Sequence, residues 1–457
     1  MPGDFAGHAN AFTYVILVTA IVFLAGTVGR WLAQGIGQPG IVGEIAVGII
    51  IGNLGYWFGP PIFVMIMHLD VLGHVFAEVW HTGLSLADAT EKVASPGELA
   101  SVPEKLSSAM TGERGALYVV GGIALWLFSH LGVLLLLSLA GLHTSTDDMR
   151  ALGGKTLPVA AVAVVAPLLL GLAVAHVLLP DESIETHLFV GVIMSATGIG
   201  ITASILDEMG QDTSPEGRFI LSAGFIDDVL AIIVLTVVVG LVTSGHVDGS
   251  KIVSVCALSA VFFTVVLLYG DRLAEMGVAV FRFLDPHTYR VVFPMFLLCV
   301  LAWLTEFIGL EAIVGSFAAG LILSEDKFRR FSDPGPSLEN LLRSFESIFA
   351  PVFFVLMGMQ VNLSALLEPG TVVLVVAMCG VLFVGNLFAG LAAAGEVDWR
   401  HLGFGLAPSG VEGLVFASIG KAVGAIPDSV FSAIVVTAVV TSFIAPIGLR
   451  WSFTRKN

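Results

Sequence analysis

Apolar residues run along this chain in thirteen long stretches, separated by short segments that carry its glycines, prolines and charges. Stretches of about 20 residues match the hydrocarbon thickness of a bilayer when wound as α-helix. The pattern predicts spans at 12–33, 40–58, 116–142, 156–178, 186–206, 219–243, 251–270, 289–308, 310–324, 347–367, 371–394, 399–424 and 427–451. The ninth is short and reads as tilted or partly buried. One stretch breaks the economy of short connections. Residues 60–114 begin apolar and then turn acidic, with Asp70, Glu78, Asp88, Glu91, Glu98, Glu104 and Glu113, and with His68, His74 and His81 between them. A connection of that length carries structure of its own. We expect an amphipathic helix lying on the outer membrane surface, with His74 and His81 as surface histidines on one of its faces.

Composition agrees with the pattern. Only 12% of the 457 residues are charged and mean hydropathy is +0.95, against about 25% charged residues in soluble domains. The net charge of −16 says less than where the cations lie. With an external N-terminus and alternating crossings, fifteen of the 20 Lys and Arg fall on the inner side, leaving Lys92, Lys105, Arg114, Lys251 and Lys421 outside or near an outer helix end. That asymmetry follows the positive-inside rule, orients the chain with a cytoplasmic C-terminus, and checks the number of crossings. Cys256, Cys299 and Cys379 all lie in apolar runs, so they read as packing residues rather than as a disulfide or thiolate metal framework.

Within the sixth span stand two adjacent acids, Asp227 and Asp228. A charge at bilayer depth costs at least ~2.5 kcal/mol on the most lenient insertion scale, and ionisable groups at that depth mark ion or proton pathways. Asp227 lies nine residues past Arg218, about 13 Å along a helix, which puts the pair near the bilayer centre. Neighbouring helix positions point about 100° apart, so the two carboxylates do not converge on one proton as those of an intramembrane aspartyl protease must. The fifth span contains Ser195-Ala-Thr-Gly-Ile-Gly-Ile-Thr-Ala-Ser204 and the twelfth Gly405-Leu-Ala-Pro-Ser-Gly-Val-Glu-Gly-Leu414. Paired glycines and Pro408 interrupt helices there, and a break at depth is tolerated where the freed backbone lines a cavity or meets protein partners. The two spans cross in opposite directions. Interrupted helices of opposite polarity in corresponding parts of two halves point to an inverted-repeat transporter, with helix ends placing partial charge at the midplane.

These residues carry a resemblance. The fifth-span motif followed by Gly224-Phe-Ile-Asp-Asp-Val-Leu-Ala-Ile232 resembles the core of the second family of monovalent cation/proton antiporters, sodium/proton exchangers with an Asp-Asp pair. Supporting stretches are Gln38-Pro-Gly-Ile-Val-Gly-Glu-Ile-Ala-Val-Gly-Ile-Ile-Ile-Gly52, Gly141-Leu-His-Thr-Ser-Thr-Asp-Asp-Met149, Gly309-Leu-Glu-Ala-Ile-Val-Gly-Ser-Phe-Ala-Ala-Gly320, Ala350-Pro-Val-Phe-Phe-Val-Leu-Met-Gly-Met-Gln-Val-Asn362 and the Pro408 motif. Nearly the whole chain except 60–114 takes part. The resemblance implies an all-α polytopic membrane protein of about 13 helices, built of inverted repeats with two crossed discontinuous helices. It further implies a dimerisation unit, a mobile core and elevator-like alternating access as a homodimer in the cell membrane. The chain divides accordingly into first helices at 1–58, the acidic insertion at 59–115, core helices at 116–246, central helices at 247–324 and second-repeat helices at 325–457. Members with an Asp-Asp pair often place a Lys or Arg in the tenth helix; here Gln360 lies near that place, Ser409 stands where many relatives have arginine, and His143 replaces a frequent acid.

The expected chemistry is competition for one carboxylate. Asp228 binds either a proton or a dehydrated sodium ion, Asp227 is a second carrier or a support, and Thr197, Ser195 and backbone carbonyls at the fifth-span break supply further oxygen ligands. Thr202, Glu412, Ser409, Gln360 and Glu44 are candidate supports, Glu44 chiefly as an anchor of helix packing. Glu306 and Glu311 read as boundary or ion-pair acids, Asp147 and Asp148 as solvated charge at the inner mouth, Lys421 as a side chain that snorkels outward in preference to pairing with an acid, and His130 and His176 as hydrogen-bonded packing residues. The substrates are then a monovalent cation, sodium first, and protons. The partners are the bilayer and a second copy, with no nucleic acid and no cofactor beyond the transported ions. A potassium/proton antiporter and, in another class, a passive cation channel stay open. An enzyme is disfavoured, since neither a Ser/His nor a metal-ligand constellation appears.

Overall fold

In the computed structural model the described residues exclude 1–10, most of 69–113, 144–145, 199–201, 245–253, 278–285, 309–311, 324–336, 367–368, 455–457 and isolated positions, most of them between 204 and 274. The expected surface helix of the insertion and the acid Glu311 therefore lie largely or wholly outside them. So does part of the seventh expected span.

Among the described residues the chain is helical, without strands. The helices are α1 (Ala11–Gly35), α2 (Gly40–Phe58), α3 (Ile62–Met67), α4 (Gly115–His143), α5 (Thr146–Leu178), α6 (Ile184–Ser195), α7 (Pro215–Ser244), α8 (Pro286–Phe307), α9 (Ala312–Ile322), α10 (Leu338–Met359), α11 (Leu363–Leu366), α12 (Pro369–Ala392), α13 (Trp399–Gly405), α14 (Val411–Ala422) and α15 (Asp428–Thr454). Eight of them, α1, α2, α4, α5, α7, α10, α12 and α15, are long and apolar enough to cross a membrane, and α6, α8 and α9 are shorter apolar helices. The chain is a multi-pass membrane protein. Several helices outrun their expected spans: α5 starts at Thr146 and α10 at Leu338. Hydropathy measures bilayer thickness, whereas a helix continues into water wherever polar residues still satisfy its backbone. At the start of α10 the exposed pair Arg343–Glu339, 2.8 Å apart and one turn along, supports such an extension.

Two compact units are formed. The first comprises Met1–Gly132 and Ile348–Ala365. Here α1 and α2 are joined by a tight turn in which Gly37 adopts φ +72° while the amides of Gly37 and Gln38 bond back to Gln34 and Ala33, a left-handed helix ending that only glycine accepts freely. Past the turn the helices touch backbone to backbone at Gly29 and Gly43, and Gly48 and Gly52 bring α2 equally close to Val355 and Met359 of α10. Small residues let helices approach in this way where lipid removes the hydrophobic drive for association. Asn53 finishes the packing. Its amide donates to the carbonyls of Ile49 and Val361 and its oxygen accepts from the amide of Leu363, holding the chain as it leaves α10.

The second unit comprises Val133–Ser347 and Leu366–Asn457. Helix α5 lies against α6, α7 and α12. One apolar core joins Val159 and Ala163 of α5, Ile220 and Ala223 of α7, Ala389 of α12, Leu402 of α13 and Leu449 of α15. Helix α9 is buried against α8 and the last turns of α4. Gly315 meets Leu301, Gly320 meets Ser138, Gly141 meets Phe317, and the Ser316 hydroxyl donates to the carbonyl of Leu134.

Candidate cation site

Both expected interruptions are present in the second unit, and they meet. Helix α6 is opened by Ser183, whose hydroxyl accepts from the amide of Thr186, and it stops at Ser195, where Ala196 turns extended at φ −80°, ψ 118°. Helix α13, capped by Asp398, stops at Gly405, and Leu406 is followed by non-helical residues until α14 begins after Gly410. The amide of Gly198 donates to the carbonyl of Pro408. A Cβ on Gly410 would lie 2.6 Å from the Gly198 Cα, and one on Gly198 would overlap the Gly410 backbone. Two non-helical stretches of main chain thus meet with no room for a side chain between them. The Thr202 hydroxyl ties the breaks a second time by donating to the carbonyl of Gly405, one of the acceptors a helix end leaves open. The carbonyl ends of α6 and α13 and the amide end of α14 consequently gather at one place, bringing partial charges of both signs to it.

Helix α7 presents Asp227 and Asp228 to this unit's interior; both are buried. The Thr197 hydroxyl, from the extended segment beside Gly198, donates to Oδ2 of Asp227. Among the described residues, Oδ1 of Asp227 and both carboxylate oxygens of Asp228 have no hydrogen-bond partner. Buried polar groups are nearly always satisfied, so the unanswered oxygens mark this pair as a candidate site. Glu412, in the first turn of α14, is also buried. Among the described residues no cluster of three His, Cys, Asp or Glu stands ready for a resident metal ion.

The other candidates fall as follows. Ser195 is buried at the end of α6, and its hydroxyl donates to the carbonyl of Val192, leaving only its lone pairs for a cation. Ser409 is buried on the second non-helical stretch, its amide donating to the Thr441 hydroxyl at 3.4 Å. Glu44 lies in the first unit, where its Oε1 accepts from Nε of Arg30 at 2.7 Å. Gln360, also in that unit, is half-buried just past α10, its amide bonded to the carbonyl of Leu356. Glu306 is exposed on α8. His130 bonds the carbonyl of Trp126 and stacks on that ring at 4.2 Å. His176 packs edge-on against His187.

Lys421 departs from expectation. It does not snorkel: it is buried, 3.0 Å from Asp428 and 4.6 Å from the centre of the Phe431 ring. The turn after α14 folds back and brings the start of α15 within its reach. Thr441 is a site neighbour with no sequence signal, since a threonine in an apolar span carries no sign that it will accept the Ser409 amide.

The family described as sodium/hydrogen exchanger, transmembrane, matches residues 18–455. The high-affinity Na(+)/H(+) antiporter NhaS3 of Synechocystis sp. is 30% identical over 447 residues, covering 96% of this chain and 90% of that protein. A Na(+)/H(+) antiporter of Enterococcus hirae is 23% identical across 96% of this chain and 98% of its own length. The Na(+)/H(+)-K(+) antiporter GerN of Bacillus cereus is 26% identical across 72% of this chain and 83% of its own length. In fold, the chain is similar to the solved structure of the sodium proton antiporter MjNhaP1 from Methanocaldococcus jannaschii, with a TM-score of 0.59 at 14% identity, covering 97% of this chain and 98% of that one.

Proposed function

The chain belongs to the sodium/hydrogen exchanger family, and we propose that it exchanges sodium for protons across the cell membrane by alternating access, with Asp228 as the group the two ions share. The observation that carries the assignment of Asp228 is its burial with both carboxylate oxygens unpartnered among the described residues, beside an Asp227 anchored by Thr197. Low dielectric surroundings disfavour a bare carboxylate, so Asp228 holds either a proton or a cation. Sodium binding releases the proton, and protonation releases sodium. Each loaded form is less charged than the empty one. Moving an uncompensated buried charge costs several kcal/mol, so the empty site does not cross, and exchange is enforced.

Thr197 fixes one oxygen of Asp227, leaving the other directed to the cargo. Backbone carbonyls at the end of α6 and the lone pairs of Ser195 complete a hard-oxygen environment suited to a small cation. The test is Asp228→Asn in proteoliposomes, read by the collapse of a proton gradient on sodium addition. Loss of at least about a hundredfold in rate is expected, and retained sodium-dependent proton movement would overturn the assignment. Potassium is the second reading, favoured by the name of GerN, which pairs sodium and potassium; potassium pulses in the same vesicles decide between them.

The distribution of Lys and Arg supports an external N-terminus and cytoplasmic C-terminus. The resemblance to the antiporter family leads us to a homodimer in the bilayer. A native mass in detergent of two chains is the expected outcome, and a monomer mass would refute it.

A further inference from the structure

One buried acid of the second unit is left without a task by the exchange of ions on Asp228. Glu412 sits in the first turn of α14, and its carboxylate folds back over the crossing: Oε2 lies 3.4 Å from where a Cβ of Gly410 would be, and Gly410 is in backbone contact with Gly198. The residue before Gly198 is Thr197, which holds Asp227. Glu412 therefore stands on one side of a crossing whose other side carries the residue that holds Asp227.

We propose that Glu412 is a third acid serving the exchange site, supplying from the crossing negative charge that sets the affinity for the transported monovalent cation. The inference rests on the assignment of exchange to the Asp227–Asp228 pair and deepens it. Two features separate this role from that of a helix-end stabiliser. A first-turn acid interacts favourably with the amide end of its helix, and at an exposed surface it does so without the cost of desolvation. Glu412 is buried instead, at the point where both interrupted helices cross. Desolvating a carboxylate there is costly unless a positive partner visits it, and a cation held at the aspartate pair is such a partner. Close buried charges couple strongly, so the third acid raises cation affinity without holding the ion alone.

The experiment uses the full chain in proteoliposomes at alkaline pH, where protons compete least. The sodium KM and maximal rate are measured for Glu412→Gln and Glu412→Asp. Gln keeps the shape and an acceptor for the amide end of α14, so a helix-end role survives it and a charge role does not. A rise in sodium KM of about tenfold or more in Glu412→Gln, exceeding any fall in maximal rate, is expected, with Glu412→Asp restoring most of the affinity. An unchanged KM, or a fall in maximal rate alone, overturns the proposal. Should Glu412→Gln not yield folded protein, the charge-free variant Glu412→Ala and its sodium-dependent thermal stabilisation in detergent decide the matter: a sodium dependence equal to that of the unaltered chain refutes the proposal. Failure of the underlying reading is a separate result, seen as retained exchange in Asp228→Asn, whereas failure of this inference is seen as normal sodium affinity in the variants that remove the Glu412 charge.

Discussion

Each compact unit buries acid near a place where glycines let two backbones touch, and the two treat that acid in opposite ways. In the first unit Glu44 is fully buried one residue past Gly43, where α2 touches α1, and Arg30 of α1 reaches it at 2.7 Å. In the second unit Asp228 and Asp227 are buried beside the contact of Gly198 with Gly410, and the three oxygens left over from the Thr197 bond have no hydrogen-bond partner among the described residues. Burial of a carboxylate thus has two meanings. With a fixed cation it is structure. Without one it is where we propose that a mobile cation binds. The glycines do the same work in both units, since close backbone approach is what removes water from the acid.

The contrast is disturbed most severely at the crossing itself. Gly410→Ala puts a Cβ 2.6 Å from the Cα of Gly198, and backbone cannot yield as a side-chain tip does. Overpacking of this kind costs about 1–3 kcal/mol, enough to displace the non-helical stretches from the aspartates. Exchange in proteoliposomes is expected to fall more than tenfold while the protein still runs as a folded species in size-exclusion chromatography; full activity would show that the crossing need not be tight.

Glu44→Gln should have the converse signature, a loss of stability without a loss of exchange per folded molecule. Removing one partner of a buried pair leaves the other uncompensated, but Arg30 is 34% exposed and recovers water, so about 1–2 kcal/mol is expected rather than the larger penalty of a fully buried pair. A drop of a few degrees in thermal midpoint checks it. Loss of exchange at unchanged stability would place Glu44 in the ion route. The smallest effect belongs to the exposed Glu339–Arg343 pair on α10. Glu339→Gln should change stability by no more than about 0.5 kcal/mol, which sets the baseline against which the buried acids are judged.

Much of this was legible in the residue order. The pattern of 40–58 gives α2 to the residue, and 371–394 gives α12 within two. Both interrupted helices were readable, because glycine and proline within an apolar run mark breaks whatever surrounds them. The start of α10 was not, since its first turns are amphipathic and carry too little hydropathy to register. Lys421 was misjudged for a different reason: its partner Asp428 lies seven residues on, beyond a turn at Gly424 with φ +70°, and no helical spacing connects them.

Residue order was enough to say which segments enter the membrane and which acids go with them, because a bilayer penalises every polar group one residue at a time. Only packing between helices selected which of those acids is answered. Arg30 meets Glu44 across 14 positions, Thr197 meets Asp227 across 30, and Thr202 meets Gly405 across 203. Contacts between separate helices depend on where close-packed backbones cross, and composition and periodicity hold no record of that.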